Sequence, residues 1–236
     1  MKYNYIFDVD GTLTPSRQRI DKKFETFFIN FIKFNNVWLI TGSDYPKTVE
    51  QVGEEICEKV KAVHNCAGNN IWENGKEVYE LEWKLSKDIK SWLNYKLEKS
   101  QFPMRSGKHI EERPGLANFS VVGRNATFGE RKLYIEYDKK TNERIIIARE
   151  FNKIFEDSSV VAQVAGETGL DIMPKGADKR QILNYVESPI IFFGDKTKPG
   201  GNDYPLAAAL ENKDNCETIP VKNWEETKKE LEKLYE

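Results

Sequence analysis

Tyr5-Ile6-Phe7-Asp8-Val9-Asp10-Gly11-Thr12-Leu13-Thr14 decides how the rest of the chain is read, because an apolar run ends in two carboxylates one residue apart and then breaks at glycine. Side chains at i and i+2 of an extended strand point the same way. Asp8 and Asp10 therefore face one small volume at the strand's carboxyl end, where open α/β sheets place their sites. Two like charges that close repel, so either one takes a proton or a cation sits between them. Both outcomes suit phosphoryl transfer with an aspartate nucleophile, a neighbouring acid/base and Mg²⁺. The plain alternative is an exposed turn with two unrelated aspartates. A calcium loop of the EF-hand type is excluded by spacing: it needs a helix upstream and an acidic twelfth ligand, and the twelfth residue from Asp8 is Arg19.

Outward from this strand, short apolar runs alternate with amphipathic helical stretches, the pattern of a mostly parallel sheet covered by helices. Tyr3–Asp8 reads as a strand, Asp21–Phe34 as a helix, Val37–Thr41 as a strand and Pro46–Lys61 as one helix. The character changes after Ala62–Asn65, where Glu73-Asn74-Gly75 between Ile71-Trp72 and Val78-Tyr79 signals a hairpin. A different module follows, with a helix over Ser86–Lys99, strands near His109–Arg113 and Leu116–Val122, helical stretches through Glu130–Phe155, and strands near Val160–Ala165 and Leu170–Met173. The first pattern then resumes: helix Asp178–Val186, strand Pro189–Asp195, helix Tyr204–Leu210, strand Glu217–Val221, helix Trp224–Leu234. The expected fold is α/β, a Rossmann-like, mostly parallel core made of residues 1–80 and 174–236, with an inserted α+β cap domain at 81–173.

Composition narrows the function. The 236 residues are 39% hydrophobic, and 36 Lys and Arg nearly balance 38 Asp and Glu, so no global field favours nucleic acid. No apolar run approaches the roughly 20 residues a membrane span needs, and the start of the chain lacks the pattern of a signal peptide. Cys57, Cys66 and Cys216 are scattered and odd in number, which argues against a disulfide scaffold or a zinc site and for a reducing, cytoplasmic setting. His64 and His109 form no metal-ligand pattern.

The second half of the core supplies what the first lacks. Ile190-Ile191-Phe192-Phe193-Gly194-Asp195 is another apolar strand ending in aspartate, and Pro199-Gly200-Gly201-Asn202-Asp203 makes a tight polar turn after it. Asp195, with Asp8 and the backbone carbonyl of Asp10, can complete a hard-oxygen Mg²⁺ site. Thr41-Gly42-Ser43 at the end of the second strand, and Lys179 after Pro174-Lys175-Gly176, offer hydroxyls and an ammonium for phosphate oxygens. Each has a plain alternative, Ser43 as a turn cap and Lys179 as one solvated lysine among many.

Taken together, Asp8–Thr12, Thr41-Gly42, Lys179 and Gly194-Asp195 through Asn202-Asp203 resemble the four motifs of the haloacid dehalogenase superfamily. More narrowly, the chain resembles eukaryotic-type phosphomannomutases in "FDVDGTLTPSRQ" (Phe7–Gln18), "GSDY" (Gly42–Tyr45), "IEERPGLANFSVVGR" (Ile110–Arg124), "GER" (Gly129–Arg131), "DIMPKGADK" (Asp171–Lys179) and "FFGDKTKPGGNDY" (Phe192–Tyr204). The resemblance implies that Asp8 is the nucleophile and Asp10 the acid/base. It implies Mg²⁺ on Asp8, the Asp10 carbonyl and Asp195 with Asp203 in support, and phosphate on Thr41, Ser43, Lys179 and Asn202. Arg113, Arg124 and Arg131 would grip the distal phosphate and sugar, Arg17 would lie near the substrate, and Asp171 would bind a sugar hydroxyl. Gly169 stands at a substrate position where the family usually has serine. Ion pairing with Glu111, Glu112 and Glu130 is the competing account of the arginines. The implied activity interconverts mannose 6-phosphate and mannose 1-phosphate through an aspartyl-phosphate, with a hexose 1,6-bisphosphate as intermediate and activator, in a homodimer formed through the cap. The alternatives are a Mg²⁺-dependent sugar-phosphate phosphatase of the same superfamily and a silent sugar-phosphate-binding protein.

Overall fold

A computed structural model describes residues 2–234 of the chain. They form two compact units: one runs through Leu81 and resumes at Gly176, and the other spans Glu82–Lys175.

In chain order the first unit begins with β1 (Asn4–Phe7), α1 (Lys22–Phe34) and β2 (Asn36–Ile40). The Asp21 side chain caps α1 by accepting from the amides of Lys23 and Phe24, and Phe24, Phe28 and Phe31 form the buried stripe of that helix. The stretch expected as one helix at Pro46–Lys61 is two, α2 (Tyr45–Val52) and α3 (Glu54–Lys59). Gly53 separates them at φ +88, a backbone that ends one helix and redirects the chain into the next. Then come β3 (Val63–Asn65), β4 (Asn70–Glu73) and β5 (Lys76–Glu80), the last two joined through Asn74 and Gly75, both at positive φ.

The second unit holds α4 (Lys87–Lys99), β6 (Ile110–Arg113), β7 (Leu116–Phe119), α5 (Phe128–Thr141), α6 (Glu143–Ile154), β8 (Val160–Ala165) and β9 (Gly169–Pro174). A Thr127–Glu130 capping box starts α5. Its sheet is antiparallel in the order β6-β7-β9-β8, and Leu93, Phe119, Tyr134, Phe151 and Ile172 fill the core beneath it.

Back in the first unit, Lys179–Asn184 is a 3₁₀ turn where a longer helix was expected. Gln181 N–H donates to the Asp178 carbonyl and Tyr185 N–H to that of Ile182, bonds spanning three residues that close the tighter turn. After it lie β10 (Ile190–Gly194), α7 (Tyr204–Leu210), β11 (Cys216–Pro220) and α8 (Trp224–Lys233). The sheet order is β11-β10-β1-β2-β3-β4-β5; β1 is parallel to both β10 and β2, and β4 and β5 run antiparallel at the edge. Phe7, Leu39 and Phe193 bury one face against α1, while Ile6, Ile40 and Phe192 bury the other against the 3₁₀ turn and α7. This is the mostly parallel α/β core, with a separate antiparallel module, that the sequence pattern predicted. Among the described residues no helix is long and apolar enough to cross a membrane.

Candidate active site

The connection from β1 departs where its neighbours on either side, β10 and β2, also end, which opens a crevice at the carboxyl ends of the parallel strands. Asp8 lies there almost fully buried, 3% exposed, with its amide bonded to the Phe193 carbonyl at 3.0 Å. Lys179, 1% exposed, donates from Nζ to Asp8 Oδ1 and to Asp203 Oδ1, each at 2.6 Å. Asp203 is fully buried and also accepts from the Lys196 amide at 2.9 Å. The Thr12 hydroxyl donates to Asp8 Oδ2 at 3.3 Å.

Asp195, at the end of β10, pairs with Lys196 at 3.2 Å. Ligand atoms of Asp8, Asp195 and Asp203 all lie within 4.8 Å of one another. Two glycines make this crowding possible. A Cβ on Gly11, whose φ is +86, would sit 2.5 Å from Asp195 Oδ2, and one on Gly194 would sit 2.9 Å from Asp203 Oδ2.

The electrostatics suit a divalent cation. Burial pushes the Asp8 carboxyl up to about 8; Lys179 opposes that rise, and the like charges of Asp203 and Asp195 reinforce it. Burial likewise raises Asp195, with Lys196 opposing. Burial works against the Lys179 charge, but Asp203 and Asp8 outweigh it and hold the ammonium above its ordinary range. Lys179 thus faces two buried carboxylates while a third, Asp195, pairs with Lys196, so three carboxylates meet two ammonium groups, a set of hard oxygen donors compatible with a small divalent ion.

Asp10 has different surroundings. Its Oδ1 accepts from the Arg17 amide at 2.6 Å and from Gln51 Nε2 at 2.9 Å, and its Oδ2 meets the Ser43 hydroxyl at 3.4 Å. Thr41, buried, accepts the Ser43 amide on its hydroxyl at 3.1 Å, which tightens the loop that presents Ser43. Asn202 adjoins Asp203, and its side-chain oxygen is buried without a hydrogen-bond partner among the described residues.

The other predicted residues lie in the second unit. Glu111 Oε2 meets Arg113 Nη2 at 2.7 Å and Arg124 Nε at 2.6 Å. Burial alone would raise the Glu111 carboxyl, yet the two guanidinium groups hold it below its usual range. Arg124 also donates to Asn118 Oδ1 at 3.3 Å, and Asn118 Nδ2 donates to Asp171 Oδ1 at 2.7 Å across the β7–β9 pair. Arg131 donates to Thr168 Oγ1 at 3.1 Å and pairs with Glu167 at 3.0 Å. A Cβ on Gly169 would meet Asn118 Nδ2 at 2.7 Å, so glycine leaves room for that amide. Of the competing acidic partners, Glu111 does pair with two of the arginines, whereas Glu112 pairs with Lys90 and Glu130 caps α5.

Sequence reasoning missed Gln51, Lys196, Asn118 and Thr168. Thr12, Lys196 and Asn118 stood inside quoted motifs without a role, and Glu111 only as a competing ion-pair partner. Asn118 and Thr168 gain theirs only from β pairing, and Gln51 carried no signal at all.

A buried carboxylate clamped by lysine beside two further carboxylates can accept a phosphoryl group, and Asp10, held by neutral donors, can exchange a proton. Comparison with known proteins gives the family. A family model described as eukaryotic phosphomannomutase matches residues 24–236. The phosphomannomutase of Dendrobium officinale is 32% identical over 231 residues, covering 94% of this chain and 92% of that protein. Human phosphomannomutase 1 is 32% identical over 215 residues, 86% of this chain and 82% of its own length. A haloacid dehalogenase-like hydrolase from Bacteroides thetaiotaomicron shares the fold, with a TM-score of 0.64 at 12% identity over 99% of this chain and 100% of that one. By family model and by sequence identity along most of its length, this chain belongs to the eukaryotic phosphomannomutase family.

Proposed function

We propose that the protein is a phosphohexomutase that interconverts mannose 6-phosphate and mannose 1-phosphate. The observation that carries the phosphoryl transfer is the buried Lys179 bridge between Asp8 and Asp203 with Asp195 beside it, and the family match along most of the chain carries the mannose phosphate reading. Asp8 attacks the phosphorus of a hexose 1,6-bisphosphate, and Asp10 gives a proton to the departing sugar oxygen. In the second half-reaction Asp10 takes the proton of the incoming sugar hydroxyl while the new O–P bond forms and the Asp8–phosphorus bond breaks. Lys179, the Thr41 and Ser43 hydroxyls and Asn202 hold the non-bridging oxygens. Asp8, the Asp10 carbonyl and Asp195, with Asp203 in support, would hold Mg²⁺, which neutralises charge on the transferring group when bound.

A mutase must bind a phosphate at each end of the hexose, one reacting and one not. Guanidinium groups suit the unreactive end because they meet phosphate in a bidentate way. We assign that end to Arg113, Arg124 and Arg131, with Arg17, Asp171 and the backbone at Gly169 near the sugar. The second unit is then the cap that sets specificity, and the family resemblance favours a homodimer through it in a cytoplasmic setting.

The test is to incubate the protein with Mg²⁺ and mannose 1-phosphate, with and without a hexose 1,6-bisphosphate. Mannose 6-phosphate formed in preference to free phosphate, and only with the bisphosphate, supports the mutase. Free phosphate as the main product, with no bisphosphate requirement, assigns a phosphatase instead.

A further inference from the structure

We propose that Gln51 is a positioning residue for Asp10: its amide and the Arg17 backbone N–H pin one oxygen, Oδ1, so that the other, Oδ2, exchanges the proton with the sugar hydroxyl. The inference rests on Asp10 being the acid/base. Gln51 is 1% exposed near the end of α2, and its Nε2 donates to Asp10 Oδ1 at 2.9 Å and to Thr14 Oγ1 at 3.1 Å. Its backbone carbonyl accepts from the Ile20 amide at 2.8 Å, so main chain and side chain both stitch α2 to the loop that leaves β1. The Arg17 amide reaches the same Oδ1 at 2.6 Å from a residue at φ +59, a left-handed backbone that a non-glycine residue adopts under constraint.

The second observation is an unmet one. Gln51 Oε1 is buried and has no hydrogen-bond partner among the described residues. Buried acceptors are nearly always satisfied, so this side chain is held in place for the sake of its NH₂ group. Turning the amide over would aim Oε1 at the Asp10 carboxylate, oxygen against oxygen, so the donor orientation is the one the site enforces.

Two short bonds to Oδ1 against one of 3.4 Å to Oδ2 divide the carboxylate into an anchored oxygen and an available one. In transfer from aspartyl-phosphate, the sugar O–P bond forms, the Asp8–phosphorus bond breaks, and the hydroxyl proton passes to Oδ2. A carboxylate free to rotate would offer that oxygen in the productive direction only part of the time, and misplacement at this scale slows reactions steeply.

The experiment compares two steps in one protein. An aryl phosphate whose phenolate leaves without a proton reports phosphoenzyme formation as a burst. A rapid-quench measurement of mannose 1,6-bisphosphate made from phosphoenzyme and mannose 1-phosphate reports transfer to a hydroxyl. In Gln51→Met, which keeps length and loses the donor, the ratio of transfer to burst rate should fall roughly 10- to 100-fold, the range for losing one hydrogen bond to a charged group. Gln51→Leu, which also lacks the donor, should show the same fall and carries the test if the methionine variant does not fold. Asp10→Asn is the control. If its ratio falls while both Gln51 variants keep the parent ratio, Gln51 does not position Asp10 and the inference is overturned. If burst and transfer drop equally in the Gln51 variants, the residue is merely structural and the inference is again overturned. If the Asp10→Asn ratio equals the parent's, the acid/base assignment itself has failed.

Discussion

Replacing Gly11 with alanine would separate backbone strain from damage to the site. At φ +86 an added Cβ would lie 2.5 Å from Asp195 Oδ2 and 2.8 Å from its Cγ. Ordinary carbon contacts begin near 3.5 Å, so the carboxylate would have to retreat by about 1 Å. The left-handed backbone costs about 1–2 kcal/mol for an L side chain, and a displacement of about 1 Å within a reacting group can slow chemistry by roughly 10²-fold. Gly176 provides the comparison, having the same φ of +86 with nothing within 4 Å of its added Cβ. Denaturant unfolding should show Gly176→Ala losing the backbone strain alone and Gly11→Ala losing at least as much. Only Gly11→Ala should need more Mg²⁺ and form phosphoenzyme slowly, as read by a metal titration of the burst rate. A Gly11→Ala protein that titrates like its parent, or a Gly176→Ala protein with the same metal defect, would refute the reasoning.

Asp8→Asn should abolish phosphoenzyme labelling while leaving the circular dichroism spectrum unchanged, since an amide fills the same space but is no nucleophile; normal labelling in that variant removes Asp8 from the mechanism. His64 is fully buried and burial lowers its imidazole to about 4. Below the unfolded value of about 6.5 the unfolded chain binds the extra proton, so stability is intact above that pH and falls by up to about 3 kcal/mol as pH drops toward 4. His64→Leu should flatten this part of the acid profile, and an equally steep decline in its urea midpoint between pH 7 and 4.5 would count against the account. Arg124→Ala and Arg131→Ala should each lower mutase kcat/KM by roughly 2–5 kcal/mol of transition-state binding. The aryl phosphate burst should suffer far less, because that substrate has no distal phosphate; equal losses on both substrates would contradict the assignment.

The Asp8–Thr14 stretch was legible because a strand has a fixed side-chain period and because carboxylates at strand ends have few structural uses. Asp195 could be read in the same way, as the end of an apolar run. Asp203 and Lys179 were within reach only through their motifs, since nothing in a lysine's neighbours in sequence says it will be 1% exposed. The split at Gly53 shows a local signal overridden in the reading by a longer amphipathic pattern. Val63–Asn65 is too short to declare itself a strand by periodicity. Gln51 was illegible for a deeper reason. It sits on an ordinary amphipathic helix, and its role depends on where α2 comes to rest against a loop more than thirty residues earlier; Gln51 and Asp10 lie 41 positions apart.

The sheet order has a consequence for biosynthesis. β1 lies between β2 and β10, and β10 is made only after the entire second unit. Asp8 and Lys179 are 171 positions apart, which at about 5–20 residues per second separates their emergence from the ribosome by roughly 10–30 s. Through that interval one edge of β1 has no partner strand, the arrangement most open to pairing with another chain. Asp8 meanwhile has neither its lysine nor its companion acids. The proposed nucleophile therefore gains its partners only after the insertion has been made, and a polypeptide interrupted within the insertion carries an open strand edge and an incomplete site.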